Sequence, residues 1–192
     1  PEQMEAAARE LSRQTALIKI KLAGEDHLAR VAAVRRGAPH ARLIVDANES
    51  WTNRDVAAEA AALVPFGVEL IEQPVRRGED HLLDGIASPI PLGADESLHD
   101  RSDLARCSGR YQAINIKLDK AGGLTEALAV RAEAQSLGLK IMVGCMLATS
   151  LGIAPAFLAA QDAEWVDLDG ALLLAKDRDH PLILAGGLLR YS

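Results

Sequence analysis

Three carboxylates and three lysines stand at or near the ends of short apolar runs. Asp46 closes ARLIVD, Glu72 closes VELIE and Asp95 closes PLGAD, while Lys19 and Lys21 lie in ALIKIKL and Lys117 in QAINIKL. One carboxylate at a strand end commonly caps the next helix or pairs with a neighbouring cation. Three on consecutive strands would converge on one point, where they repel unless a cation holds them. All-oxygen ligation on a rigid frame, with room for water and substrate oxygens, suits Mg²⁺. The lysines supply acid/base chemistry. Lys19 and Lys21 are two apart, so on a strand they share a face and Ile18 and Ile20 take the other. Two neighbouring ammonium groups depress each other's pKa and bring a lysine towards use as a base near neutral pH. A solvated edge strand is the bland alternative, and it fits poorly with an all-parallel sheet buried on both faces.

The elements that must position these residues alternate along the chain. Strand-like runs occupy 16–22, 41–46, 68–72, 91–95, 112–118, 139–143 and about 164–168. Helical patterns lie near 25–37, 53–64, 79–86, 100–107, 122–137 and 148–160, after an Ala-rich helix over Pro1 to Arg13. Asn53, Asp100, Ser102 and Thr125 are start signals, and Gly138 is a stop. Strands separated by such helices pair in parallel through crossovers. A dinucleotide-binding sheet would open with a glycine-rich turn, and Lys21-Leu22-Ala23-Gly24-Glu25 lacks that fingerprint. Charged residues at the C-terminal ends of successive strands, with Asp167 and Asp169 on the last, favour a barrel, whose active sites are built at that rim.

In an eight-strand barrel, the strand bearing Lys117 is half the circumference from the strand bearing Lys21. The two lysines would then face each other across the mouth, with the three carboxylates on the strands between. A carboxylate substrate there would have a base on each face of its α-carbon. One lysine takes the proton and the other returns it to the opposite face, while the metal stabilises the enediolate-like intermediate.

Lys19-Ile-Lys21, Asp46-Ala-Asn48, Ile71-Glu72-Gln73-Pro74, Asp95-Glu96-Ser97 and Asn115-Ile-Lys117 together resemble the muconate-lactonizing subgroup of the enolase superfamily, in order, spacing and over essentially the whole chain. For this superfamily a lysine or histidine base working with Mg²⁺ on an ene-diolate is a standard example of acid/base tuning. The resemblance implies an α/β fold, a TIM-like (β/α)7β barrel here lacking the N-terminal capping domain and first strand. Residues 1–192 are then a single, incomplete barrel domain of a larger enzyme, and the family's chain usually continues beyond Tyr191-Ser192. It implies Asp46, Glu72 and Asp95 as metal ligands, Lys21 and Lys117 as the acid/base pair, and Lys19 as a residue that tunes Lys21 and binds the substrate carboxylate. Gly144-Cys-Met-Leu-Ala-Thr-Ser150 and Asp167-Leu-Asp169-Gly170 look like dipeptide epimerases of the L-Ala-D/L-Glu type. In those enzymes the Asp-x-Asp pair receives the dipeptide's ammonium group, although such a stretch also makes an ordinary turn. Met146 and Leu147 are expected as pocket walls.

The expected function is an isomerase, a Mg²⁺-dependent epimerase moving a proton at the α-carbon of a dipeptide. Alternatives are another reaction of the subgroup (cycloisomerase, o-succinylbenzoate synthase or N-acylamino acid racemase) or an inactive barrel fragment. A net charge of −6 argues against a nucleic-acid surface. No apolar run is long enough to span a bilayer, no signal peptide is evident, and two cysteines make no disulfide framework, so the cytoplasm is the expected compartment. The expected partner is a small dipeptide, with a homo-oligomer left open. His27, His40, His81, His99 and His180 show no ligand spacing and are expected to be solvent-facing or capping. Cys145 is expected as a small buried residue rather than a nucleophile, and Trp51 as a pocket wall or a cover for a helix end.

Overall fold

The computed structural model describes residues 1–22, 24 and 26–190. Ala23, Glu25, Tyr191 and Ser192 lie outside that description. Two compact units emerge: Pro1–Leu92 with Ala185–Leu188, and Gly93–Leu184 with the residues from Leu189 onward.

In the first unit, α1 (Glu2–Leu11), β1 (Leu17–Lys21), α2 (His27–Gly37), β2 (Arg42–Asp46), α3 (Val56–Leu63) and β3 (Val68–Glu72) alternate. The three strands are parallel, a pairing that requires crossover connections and so explains the intervening helices. Leu43, Ile44, Val45, Leu70 and Ile71 are buried, because parallel strands covered on both faces need continuous apolar runs. β1 instead alternates: Ile18 and Ile20 are buried, and Lys19 and Lys21 take the other face. The register sets Lys21 opposite Asp46 and Asp46 opposite Glu72, so three charged residues close three adjacent strands at one level.

The start of α3 differs from expectation. Asp55, not Asn53, is its N-cap, and the Asp55 carboxylate accepts the Ala58 N–H at 3.0 Å. His27 also departs from the solvent-facing reading. It is buried, lies 2.8 Å from Glu59 Oε2, and its ring centroid is 6.0 Å from that of Trp51. Trp51 is itself buried and belongs to this core rather than to a pocket wall.

The second unit carries β4 (Leu92–Ala94, whose first residue falls in the first unit), α4 (Leu104–Cys107), β5 (Ala113–Ile116), α5 (Leu118–Ala121), α6 (Leu124–Ser136), β6 (Lys140–Gly144), α7 (Ser150–Ala159) and β7 (Trp165–Asp167). β4 through β7 pair in parallel in chain order. The helix expected at 122–137 is α6, and the short α5 before it takes residues beyond the end of β5, where the strand was expected to run on to 118. Gly122, with φ of +79°, ends α5 in the left-handed conformation that glycine tolerates. Asp100 caps as expected and accepts the Ser102 N–H at 2.8 Å, although the first turn it opens is a 3-10 helix, Arg101–Asp103. Only a 3-10 turn, Asp80–Leu83, forms in the stretch expected as a helix over 79–86. Two further short strands, β8 (Ile183–Ala185) and β9 (Leu188–Arg190), carry no expected counterpart. Among the described residues no helix is long and apolar enough to cross a membrane.

Candidate active site

The charged ends of β1, β2 and β3 form one ion-paired group in the first unit. Lys21 Nζ donates to Asp46 Oδ2 at 2.6 Å. Lys19 Nζ lies 3.1 Å from the same oxygen and 2.8 Å from Glu72 Oε2, so one cationic group bridges two carboxylates. Both carboxylates are fully buried. Buried charge of this density is stable only when paired. The two lysines differ in access: the Lys19 side chain is 13% exposed and that of Lys21 60%. Lys21 is therefore the lysine that can meet a ligand from solvent, with Lys19 beneath it on the same strand face.

The loop beyond β2 is held tightly. The Asn48 N–H donates to Asp46 Oδ1 at 2.9 Å, and Asn48 adopts a positive φ of 43°. Such backbone is costly for a non-glycine residue, although asparagine tolerates it better than most. The loop continues to pair beyond the strands, through Ala47 N–H to the Glu72 carbonyl and Glu49 N–H to the Gln73 carbonyl.

In the second unit, Asp95 follows β4 directly and Lys117 follows β5 directly, each just past its strand rather than within it. Lys117 Nζ donates to Asp95 Oδ2 at 2.6 Å, and both residues are buried. A second lysine, Lys120, donates to Asp95 Oδ1 at 2.6 Å. Burial by itself would raise the Asp95 carboxyl, but the charges of Lys120 and Lys117 outweigh it and hold that carboxyl far below the usual carboxylate range. Lys120 was not singled out from the sequence. Its signal was the i, i+3 spacing from Lys117, which places both on one side of a helical turn.

Gly144, the last residue of β6, is needed for the packing around Lys117. A methyl group there would come within 2.9 Å of Asn115 Oδ1 and 3.2 Å of Lys117 Cε. Asp167 sits opposite Gly144 in the β6–β7 register. Asp169 does not continue the strand: β7 ends at Asp167, and Asp169 precedes the 3-10 turn Gly170–Leu173. Its side chain is exposed, Asp167 is half-buried, and Leu168 between them is buried. Met146 is exposed, and its carbonyl packs so closely on Gly170 that no side chain fits there. Burial pushes the Cys145 thiol up, and Asp167 and Asp169 add to that effect against the Gly170 N–H and Lys117. Cys145 is half-buried rather than buried as expected, and a raised thiol makes it a poor nucleophile.

The donors of each unit suit a small hard cation. Asp46 and Glu72 in the first unit, and Asp95 in the second, are buried oxygen donors, each with a lysine ammonium against one oxygen. In each unit a strand-end lysine pairs with a buried strand-end carboxylate, the pattern of an enolase-type fold.

The chain belongs to that family: the model described as "Enolase C-terminal domain-like" matches residues 3–191. Its fold class is accordingly the α/β barrel of the enolase C-terminal domain. Among curated relatives, an N-acetyl-D-glutamate racemase from Pseudoalteromonas sp is 52% identical over 171 residues, covering 89% of this chain and 54% of the relative. An L-Ala-D/L-Glu epimerase from Escherichia coli (strain K12) is 44% identical over 192 residues, covering 98% and 59%. Among solved structures, an enolase family member from Agrobacterium tumefaciens with homology to dipeptide epimerases, bound to sodium and L-Ala-L-Glu, superposes with a TM-score of 0.92 at 48% identity, over 100% of this chain and 59% of that one. A dipeptide epimerase from Cytophaga hutchinsonii complexed with Mg and D-Ala-L-Val gives 0.91 at 26% identity, over 100% and 55%. The chain thus spans a little over half the length of the relatives it matches.

Proposed function

We propose that the protein is a Mg²⁺-dependent epimerase that inverts the α-carbon of a glutamate residue acylated on nitrogen, with L-Ala-D/L-Glu as the substrate. The observation that carries this reading is the pairing of Lys21 and Lys117 with the buried carboxylates at their own ends of the strand series. In the reading, Asp46, Glu72 and Asp95 hold the ion. Mg²⁺ would stabilise the negative charge that develops on the substrate carboxylate as the α-proton leaves, an effect worth several kcal/mol. The chain's own residues do the rest. A neutral Lys21 or Lys117 amine removes the α-hydrogen as a proton and becomes an ammonium. The other lysine, initially an ammonium, gives a proton to the opposite face and becomes an amine. The product is the inverted epimer, and the lysines have exchanged protonation states. Lys19, fixed between Asp46 and Glu72, supports the substrate carboxylate, and Met146 contributes to the wall of the pocket.

The two curated relatives act on chemically related compounds. L-Ala-Glu is glutamate acylated by alanine, and N-acetylglutamate is glutamate acylated by acetate. They differ in the ammonium group, which only the dipeptide carries. In this reading Asp167, at the end of β7, and Asp169, two residues on, answer that difference. The racemase relative, at 52% identity, favours a second reading in which the acyl group is uncharged. Asp169→Asn separates the two. In the epimerase reading kcat/KM for L-Ala-L-Glu falls about 10- to 100-fold, the worth of a hydrogen bond to a charged group, while any turnover of N-acetyl-D-glutamate is unchanged. Faster turnover of N-acetyl-D-glutamate than of L-Ala-L-Glu by the wild type, with Asp169→Asn neutral for both, would replace the first reading with the second.

A further inference from the structure

Asp46 and Asp95 are held in the same way by unrelated donors. In the first unit, Asp46 Oδ1 accepts the Asn48 backbone N–H at 2.9 Å, and Oδ2 faces Lys19 and Lys21 at 3.1 and 2.6 Å. In the second, Asp95 Oδ1 accepts Lys120 at 2.6 Å, and Oδ2 faces Lys117 at 2.6 Å. Each carboxylate commits one oxygen to an internal donor and turns the other towards a lysine assigned to ligand chemistry.

Lys120 is built for the holding role. Its ammonium also donates to the Asp95 backbone carbonyl at 2.5 Å and to the Asn115 carbonyl at 3.2 Å, and its side chain is only 8% exposed. Three acceptors around its ammonium restrain its rotation. Gripping both the carboxylate and the carbonyl of one residue fixes the side-chain torsion of Asp95. Lys117 stands differently: it has the neighbouring oxygen of the same carboxylate and lies against Gly144, where no side chain intrudes.

We propose that Lys120 is a positioning residue that makes Asp95 a one-oxygen ligand, and thereby sets the site's preference for a small octahedral cation over Ca²⁺. The inference rests on the metal reading given above. Mg²⁺ demands near-octahedral geometry from singly bound oxygens, whereas Ca²⁺ accepts six to eight ligands and readily takes both oxygens of a carboxylate. A carboxylate with one oxygen held by a buried ammonium cannot swing to chelate with both. Asp46, in the first unit, has one oxygen held by the Asn48 N–H in the same manner.

The test is a calorimetric titration of the full-length protein with MgCl₂ and, separately, CaCl₂, for the wild type and Lys120→Met. The ratio of Ca²⁺ to Mg²⁺ dissociation constants is expected to fall about 10-fold or more in the variant, the scale on which supporting groups around a metal's ligands act. A purely structural role for Lys120 would weaken both ions alike and leave the ratio unchanged, and that result would overturn the proposal while leaving the metal site intact. Failure of the wild type to bind Mg²⁺ would remove the metal reading and this inference with it. A measurement without substitution covers a variant that does not fold: infrared spectra of the wild type labelled with ¹³C-aspartate. One-oxygen carboxylate bands with both Mg²⁺ and Ca²⁺ support the proposal, and a two-oxygen chelate band with Ca²⁺ contradicts it.

Discussion

Replacing Lys117 with methionine is expected to lower epimerisation of L-Ala-D/L-Glu by about 10²- to 10⁴-fold, the contribution of a positioned general acid or base. Methionine keeps most of the length and the apolar stem of lysine but cannot carry a proton. The loss should be stereochemically one-sided. Lys21 lies on β1 and Lys117 beyond β5, and in the proposed mechanism each serves one face of the α-carbon. With Lys117 gone, Lys21 still removes the proton from one epimer and returns a solvent deuteron to the same face. Proton NMR in D₂O, run separately on L-Ala-L-Glu and L-Ala-D-Glu, should show α-hydrogen exchange without inversion for one and neither process for the other. Asp95 retains Lys120 in this variant, so its charge stays paired. Equal loss of exchange for both epimers would argue against two bases with separate faces.

The second large effect is on stability. Asp95→Ala leaves the ammonium groups of Lys117 and Lys120, whose side chains are 10% and 8% exposed, without the carboxylate that both contact. Breaking a buried ion pair by removing one partner costs about 3–5 kcal/mol, because a buried charge is left uncompensated. Urea unfolding should therefore show a lower midpoint for the variant. Adding Lys120→Met to Asp95→Ala should recover part of the loss, since contacting residues are not additive. The pH dependence has a definite sign. The folded Asp95 carboxyl is held far below its usual value by Lys120 and Lys117 against the opposing effect of burial. Its stabilisation is complete above the unfolded carboxylate pKa of about 4 and drains away as pH falls from there towards the depressed folded value. The wild type should lose this stability on the acid side, and Asp95→Ala, which lacks it at the start, should show a shallower acid slope.

How much of this could be read from residues alone depends on the range of the forces involved. β3 falls at Val68–Glu72 as expected, and β2 within one residue, because a mostly apolar run ending in an acid, broken in β3 only by Glu69, has few other homes in a parallel sheet. The ion pairs of Lys19 and Lys21 with Asp46 follow from their alternation on β1 and the parallel register. Local competition at element ends was harder to read. Asp55 outcompeted Asn53 as a cap through one hydrogen bond to Ala58. Asp169 left the strand because Leu168 turns inward and Gly170 packs on the Met146 carbonyl. Long-range partners were hardest. His27 is buried only because Trp51 and Glu59 reach it from beyond β2, and no local pattern announces that. Lys120 falls between the expected strand 112–118 and helix 122–137, and no local pattern announces its bond to Asp95.

The proposed reaction moves a proton at the α-carbon of an N-acylated glutamate and inverts that centre. Its most direct test is incubation of the full-length protein with Mg²⁺ and L-Ala-L-Glu in D₂O, followed by proton NMR. The expected result is loss of the glutamate α-proton signal together with the appearance of L-Ala-D-Glu, both abolished by chelation of the metal. An α-proton signal that persists unchanged in L-Ala-L-Glu, and equally in a library of other dipeptides and N-acylated amino acids, would contradict the account.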